Sequence, residues 1–365
     1  MLKIGIIGLP QVGKTTMFNV LSGQHAQTGI HGAESHLGII SVPDIRLDKV
    51  GEMFAPRKVI HAQIEFVDVG GLGVKPGKYV SAEEAQLVAL RNTDALVELV
   101  RLFENPNVPH SLETLNPVRD IDQIHTELLF IDLEIIERRL QKIEPGLLKL
   151  PKLEQAEKAK EIKLLHHLKE TLEQGKYINQ IALSEEEQKA IRGYCFLTAK
   201  PLFLVANIDE HQLGELPNEL QKQLQQFATE KNYQWIEVSA TTEIELISMS
   251  ENEAKEFMQE LGIKALARDQ VIVTAYQVCN VISFLTIGKD EIKAWTIRQG
   301  TNAVHAAGAI HTDFEKGFIK AEVINYTDLV SSGSMAEAKH KGLVRLEGKE
   351  YLVKDGDIIQ FRFQV

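Results

Sequence analysis

Residues 2–15 read Leu2-Lys3-Ile4-Gly5-Ile6-Ile7-Gly8-Leu9-Pro10-Gln11-Val12-Gly13-Lys14-Thr15. An apolar run ends in glycine, a short loop follows, and an apolar helical pattern resumes at Met17, Phe18, Val20 and Leu21. The loop matches G-x-x-x-x-G-K-[ST] in the context that gives the pattern meaning, after a strand and before a helix. Its glycines let the backbone curl so that successive N–H groups face phosphate oxygens. The helix N-terminus adds its positive end. Lys14 is expected to be a solvent-accessible charge reaching the β- and γ-phosphates, and the Thr15 hydroxyl to ligate Mg²⁺.

Apolar runs at 64–69, 95–102, 202–206 and 235–238 alternate with helical stretches, the pattern of a parallel sheet covered by helices. Chemistry-bearing residues sit at the ends of these runs. Asp68-Val69-Gly70-Gly71 ends the second, where Asp68 can hold Mg²⁺ through water and the Gly71 N–H can meet a γ-phosphate. Asn207-Ile208-Asp209-Glu210 follows the run at 202–206. Guanine-reading proteins of this architecture carry Asn-Lys-x-Asp there, but here Ile208 replaces the Lys and Glu210 the Asp. Ser239-Ala240 follows the next run, where a backbone N–H meets the base.

Between these runs the character changes. Ile121, Ile124, Leu128, Ile131 and Ile135 are spaced 3, 4, 3 and 4 residues apart, a heptad seam. Glu144-Pro145-Gly146 and Pro151 break it, and Leu165, Leu168 and Leu172 form a second stripe, so an antiparallel helical hairpin is expected. Residues 280–365 read as a small β-grasp-like module. Its strands fall near 292–297 and 318–324, a hairpin turn at Glu347-Gly348-Lys349, and a closing strand that alternates from Ile359.

The expected fold class is therefore α/β. A phosphate-loop core at 1–119 and 196–279 is interrupted by a helical arm at 120–195 and followed by the C-terminal module at 280–365.

Charge separates these parts. The 365-residue chain carries a net charge of −11, a poor balance for bulk nucleic-acid binding. Residues 280–365 hold 11 basic and 11 acidic residues, so the whole excess lies in the first 279. Contact with nucleic acid is least opposed in the C-terminal module, and sequence-specific DNA binding is not expected. No apolar run approaches the roughly 20 residues of a membrane span, and no secretory leader pattern precedes the first strand. Cys195 and Cys279 have no metal-type spacing and read as two reduced, buried thiols of a cytoplasmic protein. His305 and His311 read as structural, and His166-His167 as a solvated face of the arm.

The order and spacing of these blocks resemble the YchF / Obg-like ATPase family of P-loop proteins, nearly end to end. The residues that carry the resemblance are Gly8 to Thr16, Ser41-Val42-Pro43-Asp44-Ile45-Arg46-Leu47-Asp48, Asn207 to Glu210 and Val238-Ser239-Ala240. Lys293-Ala294-Trp295-Thr296, Ile310 to Ile319 and Val353-Lys354-Asp355-Gly356-Asp357 look like that family's TGS domain. The resemblance implies a nucleotide site at Gly8, Pro10, Gln11, Val12, Gly13, Lys14, Thr15, Thr16, Asn207, Ile208, Glu210, Ser239 and Ala240. Mg²⁺ would be held at Thr15 and Asp68, and Lys14, Gly71 and Leu72 would serve hydrolysis.

The resemblance also implies ATP in preference to GTP, and association with the ribosome, its RNA or its proteins through the TGS domain and the arm. Three departures stand out. Gly32 occupies the place of the family's switch Thr, with Ser35 nearby. The family's Gly-rich stretch is not recognisable at 73–78. Leu72 stands where Ras-type enzymes keep a water-orienting Gln. Slow hydrolysis is expected, with a non-hydrolysing ribosome- or RNA-binding module and a true GTPase as the alternatives.

Overall fold

The computed structural model describes residues 1–23, 36–69, 84–149, 151–263 and 265–364. The first strands and helices are β1 (Leu2–Ile7), α1 (Lys14–Ser22), β2 (His36–Ser41), α2 (Ile45–Phe54), β3 (Lys58–Ile60), β4 (Gln63–Asp68), α3 (Glu84–Arg91) and β5 (Ala95–Arg101). The helical excursion α4 (Pro117–Ile143), α5 (Lys152–Glu173) and α6 (Glu185–Ile191) comes next. β6 (Leu202–Asn207), α7 (Glu219–Lys231), β7 (Trp235–Val238), α8 (Ala240–Ser248), α9 (Glu251–Glu260) and α10 (Ala267–Val278) follow. The chain ends with β8 (Val281–Ile287), β9 (Glu291–Arg298), α11 (Ala303–Ile310), α12 (Thr312–Lys316), β10 (Phe318–Asn325), α13 (Tyr326–Ser332), α14 (Met335–His340), β11 (Arg345–Glu347) and β12 (Asp357–Phe363).

The chain divides into two compact units. One comprises residues 3–38 and 66–271, the other residues 1–2, 39–65 and 272–365.

The first unit is built on a six-stranded sheet of order β2-β4-β1-β5-β6-β7. β1 runs parallel to β5, β5 to β6 and β6 to β7. β5 and β6 are buried along their whole length, as central strands covered on both faces must be. β7, the apolar run at 235–238, is only half-buried because it closes the sheet as an edge strand. The ends of β1, β4 and β6 bring the phosphate loop, Asp68 and Asn207 to the carboxyl edge of the sheet, where ligands of open α/β folds bind.

The expected helical hairpin is present, but of the 121–135 seam only Ile135 joins, partly buried, the cluster that α4 makes with α5; the neighbouring stripe supplies its buried residues. Pro117 opens α4, and the Asn116 side chain caps it by accepting from the Arg119 N–H. Ile136 and Leu140 of α4 pack with Leu164, Leu165, Leu168 and Leu172 of α5. Arg139–Glu161 at 2.6 Å and Lys169–Glu137 at 2.7 Å cross between the two helices. The Pro/Gly break between them is wound into a 3₁₀ turn, Glu144–Lys149.

The second unit holds a sheet of order β11-β10-β12-β8-β9-β3. Its core gathers Phe284, Ile297, Phe318, Val323 and Ile359 over the small face of α11, Ala303, Ala306 and Ala307. The expected hairpin at Glu347-Gly348-Lys349 is not formed. A turn is present, but β11 pairs antiparallel with β10 instead of with the segment that follows it. Residues 39–65 also belong here. β3 lies parallel to β9 with Val59 opposite Ile292, and Arg46 of α2 binds Asp355 at 2.7 Å.

His305 and His311 of this unit are each tied to a neighbour on the same segment. His305 pairs with Glu315 at 2.7 Å, and the His311 ring accepts the Asp313 N–H. The thiols depart from expectation: Cys195 is exposed and Cys279 half-buried.

Candidate nucleotide site

Gly8 and Gly13 bound the loop in backbone conformations closed to other residues, with φ of 144° and 100°. A Cβ on Gly8 would lie 2.6 Å from the Leu99 carbonyl oxygen, and one on Gly13 would lie 2.4 Å from the Asn207 amide nitrogen. Glycine is thus required at both positions by close approach as well as by φ. Gln11, between them, adopts a left-handed φ of 62°. α1 starts directly at Lys14, so its first N–H groups have no partner within the helix and are placed to receive an anion.

Lys14 is not the solvent-accessible charge expected from sequence. Its side chain folds back under the loop, 7% exposed, and Nζ donates to the carbonyls of Leu9 at 2.7 Å and Gly8 at 3.0 Å. The Leu9 carbonyl belongs to the peptide before Pro10, which carries no N–H, so this end of the loop presents acceptors to the lysine. Burial pulls the ammonium down to about 8, with Asp68 pulling the other way. The site therefore concentrates an enclosed positive charge that an anionic ligand would relieve.

Thr15 Oγ1 donates to Asp68 Oδ2 at 3.0 Å. A hydroxyl and a carboxylate at this separation are the hard oxygen donors that Mg²⁺ takes beside phosphate. Thr16 is half-buried on the same first turn.

On the other side of the loop, Asn207 is 5% exposed and ties three segments together. Its amide donates to the Val12 carbonyl at 2.9 Å, and its side-chain oxygen accepts the Ala240 N–H at 3.3 Å. Ser239 and Ala240 are buried beside it, and the Ser239 hydroxyl bonds Thr242 at 2.9 Å. Ile208 is also buried, its N–H held by the Val238 carbonyl. Glu210 is exposed at the start of the 3₁₀ turn Glu210–Gln212.

Gly71, Leu72, Gly32 and Ser35 lie outside the described residues. Arg101, which sequence reading passed over, reaches the loop from the end of β5. Its signal was an arginine closing a run that is apolar but for Glu98. Two cavities, of about 750 Å³ beside Arg119 and Gln223 and about 590 Å³ beside Trp235, are not lined by residues 8–16. The second of them is lined by Ser239 and Thr242 as well.

Comparison with known proteins gives the family. Residues 3–137 match the family model described as "50S ribosome-binding GTPase", and residues 281–364 the model described as "Protein of unknown function (DUF933)". The "Ribosome-binding ATPase YchF" of Bacillus subtilis is 37% identical over 368 residues, covering 100% of both chains. The chain belongs to the YchF family. Another protein of that name, from Mycoplasma genitalium, is 39% identical over 375 residues, again covering 100% of both chains. The solved YchF GTPase of Schizosaccharomyces pombe superposes with a TM-score of 0.84 at 31% identity, covering 99% of this chain and 97% of that one. YchF membership accounts for the phosphate-loop core, the helical arm and the C-terminal unit in one chain. Among the described residues, no helix is long and apolar enough to cross a membrane.

Proposed function

We propose that this YchF-family chain binds ATP with Mg²⁺, hydrolyses it slowly, and acts with the ribosome in the cytoplasm. The observation that carries the reading is the Lys14–Thr15–Asp68 constellation beneath a glycine-bounded loop. Lys14 would hold the β- and γ-phosphates together with the N–H groups of the loop from Gly8 through Thr16, Pro10 having none. Thr15 and Asp68 would hold Mg²⁺, which when bound neutralises phosphate charge. Asn207, Ser239 and Ala240 would frame the base. Gly71 and Leu72 are assigned to the γ-phosphate side from the family pattern, and Leu72 has no group that orients water, in keeping with a slow rate.

ATP is favoured over GTP by residue type. Glu210 carries one methylene more than the Asp that reads guanine, and Ile208 lacks the Lys stem. Loss of that charged acceptor costs roughly 1.5–3 kcal/mol, about tenfold or more in affinity. The nucleotide core, expected at 1–119 and 196–279, is assigned without residues 39–65 and 272–279, which belong to the unit of the C-terminal strands. Docking on ribosomal RNA or protein is assigned to the arm at 120–195 and to the charge-balanced TGS-like segment at 280–365.

Calorimetric titration with ATP and GTP, and steady-state hydrolysis with and without ribosomes, test the reading. Tighter ATP binding and ribosome-stimulated hydrolysis are expected. A clear GTP preference would make the chain a GTPase, and binding without turnover would make it a nucleotide-dependent binding module.

A further inference from the structure

Arg101 ends β5 as a cation buried without a carboxylate partner among the described residues. Its residue exposure is 2%, and it ranks among the largest fully buried side chains. Among the described residues the guanidinium makes three hydrogen bonds, all to backbone carbonyls. Nε donates to Phe103 at 2.9 Å, Nη2 to Val108 at 2.8 Å and Nη1 to Gln11 at 3.4 Å. It also lies over the Phe103 ring, 4.4 Å from the centroid. Among the described residues no carboxylate pairs with it, and burial pulls its pKa down. A neutral side chain of similar volume would fill this place without the desolvation cost. What only arginine supplies is a rigid fork that reaches three carbonyls in different directions.

One of those carbonyls belongs to the phosphate loop, at the residue with the left-handed φ of 62°. The Gln11–Val12 peptide is planar and trans, so a carbonyl turned toward Arg101 puts the Val12 N–H on the opposite side. Asn207 does the same to the next peptide: the Val12 carbonyl is held at 2.9 Å, and the Gly13 N–H faces the other way. Side chains from two neighbouring strands thus set two consecutive loop peptides. The other two Arg101 bonds fix Phe103 and Val108, in the connector that leads from β5 into α4.

We infer that Arg101 is a positioning residue for triphosphate binding, orienting the Gln11–Val12 peptide of the phosphate loop and tying that loop to the connector at 103–108. The inference rests on the nucleotide reading above. It deepens that reading by making the loop's donor geometry depend on a side chain that itself touches no ligand.

The test titrates the full chain with Mg·ATP as wild type, Arg101→Met, Arg101→Lys and Lys200→Met, at a temperature where circular dichroism shows each folded. Lys200 is the control. It too is a cation spent on backbone carbonyls, those of Arg91 and Thr93, but it bonds no phosphate-loop atom. Arg101→Met is expected to weaken ATP binding at least about tenfold. Arg101→Lys, which keeps the charge but not the fork, should fall between it and wild type. Lys200→Met should lower the melting temperature and leave affinity unchanged. Wild-type affinity in Arg101→Met overturns the inference, as does an equal loss in Lys200→Met, which would mark general loosening. If Arg101→Met does not fold, Arg101→Lys decides, and wild-type affinity there overturns the inference. A wild-type chain that binds no ATP would overturn the nucleotide reading itself, a result visible before any variant is compared.

Discussion

Thr15, on the first turn of α1, donates its hydroxyl to the carboxylate of Asp68 at the end of β4, at 3.0 Å across 53 residues of sequence. Two local motifs, each common alone, are joined by one hydrogen bond at the edge of one sheet. Chance glycine-rich turns do not arrive with a carboxylate at hydroxyl distance.

Thr15→Val keeps the branched shape and removes the hydroxyl. The half-buried site loses one hydrogen bond, about 1 kcal/mol of stability. The larger expected effect is on metal dependence. ATP affinity of wild type should rise with Mg²⁺, and that rise should be lost or cut at least about tenfold in Thr15→Val. Titrations in Mg²⁺ and in EDTA measure it. An unchanged Mg²⁺ response would remove Thr15 from the metal site.

Lys14 links the site to pH. Burial lowers its pKa from 10.5 to about 8. Between those values the unfolded chain binds the proton and the folded chain does not, so this group makes stability rise with pH across that window. Below pH 8 the folded protein holds a buried charge at full cost. Lys14→Met should therefore be more stable than wild type at pH 7, by about 1–3 kcal/mol, with the gap closing toward pH 10.5. Binding runs the opposite way: wild-type ATP affinity should fall as pH rises through 8, and Lys14→Met should bind poorly throughout. Urea unfolding and calorimetry along one pH series read both. A less stable Lys14→Met at pH 7 would show that the carbonyl bonds outweigh the burial.

The parts legible in sequence are those set by local spacing. The phosphate loop, the heptads of α4 and the paired leucines of α5 declare themselves within one or two turns. Three kinds of feature did not. Lys14 was read as accessible because its motif names a ligand, whereas its two carbonyl partners depend on how the loop curls. Arg101 shows as a charge closing a strand, but its role does not, because its partners are backbone atoms, which leave no residue signature. β3 was missed because three residues at 58–60 find their partner, β9, more than 230 positions later. Parallel pairing at that separation has no sequence pattern beyond a short apolar run. The hairpin misread at 347–349 has the same origin, since a turn does not say which strand its neighbours will join.

That last pairing changes what a truncation does. Sequence alone suggests that residues 280–365 can be removed with little effect on the remainder. In the structure the loss would take β9 from β3, Asp355 from Arg46, and the sheet that packs on α2. Leu47 and Val50 of α2, both fully buried, belong to the same unit. A chain ending at 279 is expected to expose them, worth about 1.5–3 kcal/mol each, and to lose solubility and cooperative unfolding. Yield and a thermal melt against the full chain are the check. A soluble product melting within a few degrees of wild type would show that residues 39–65 stand without the C-terminal strands. Ribosome co-sedimentation is therefore better probed with surface substitutions than with this deletion.

Asp132 offers a test of how the arm is rooted. The carboxylate, fully buried on α4, accepts the N–H groups of Leu197 at 3.1 Å and Thr198 at 2.8 Å and the Thr198 hydroxyl at 2.7 Å, in the segment that leads into β6. Asp132→Ala would leave these donors without an acceptor in a dry site, a loss of about 3–5 kcal/mol. Asp132→Asn keeps one acceptor oxygen and should lose less. The two substitutions also separate charge from hydrogen bonding. Burial raises the Asp132 pKa from 3.8 to about 6 against the pull of its donors. The folded chain therefore binds a proton that the unfolded chain has released, and this group's contribution to stability is lost as pH rises from 3.8 through 6. Asparagine has no such dependence. The stability of wild type relative to Asp132→Asn should therefore be greater at pH 5 than at pH 7.5, read by urea unfolding at both. An advantage that shrinks at pH 5 would mean that the donors hold the carboxylate ionised more strongly than burial opposes it.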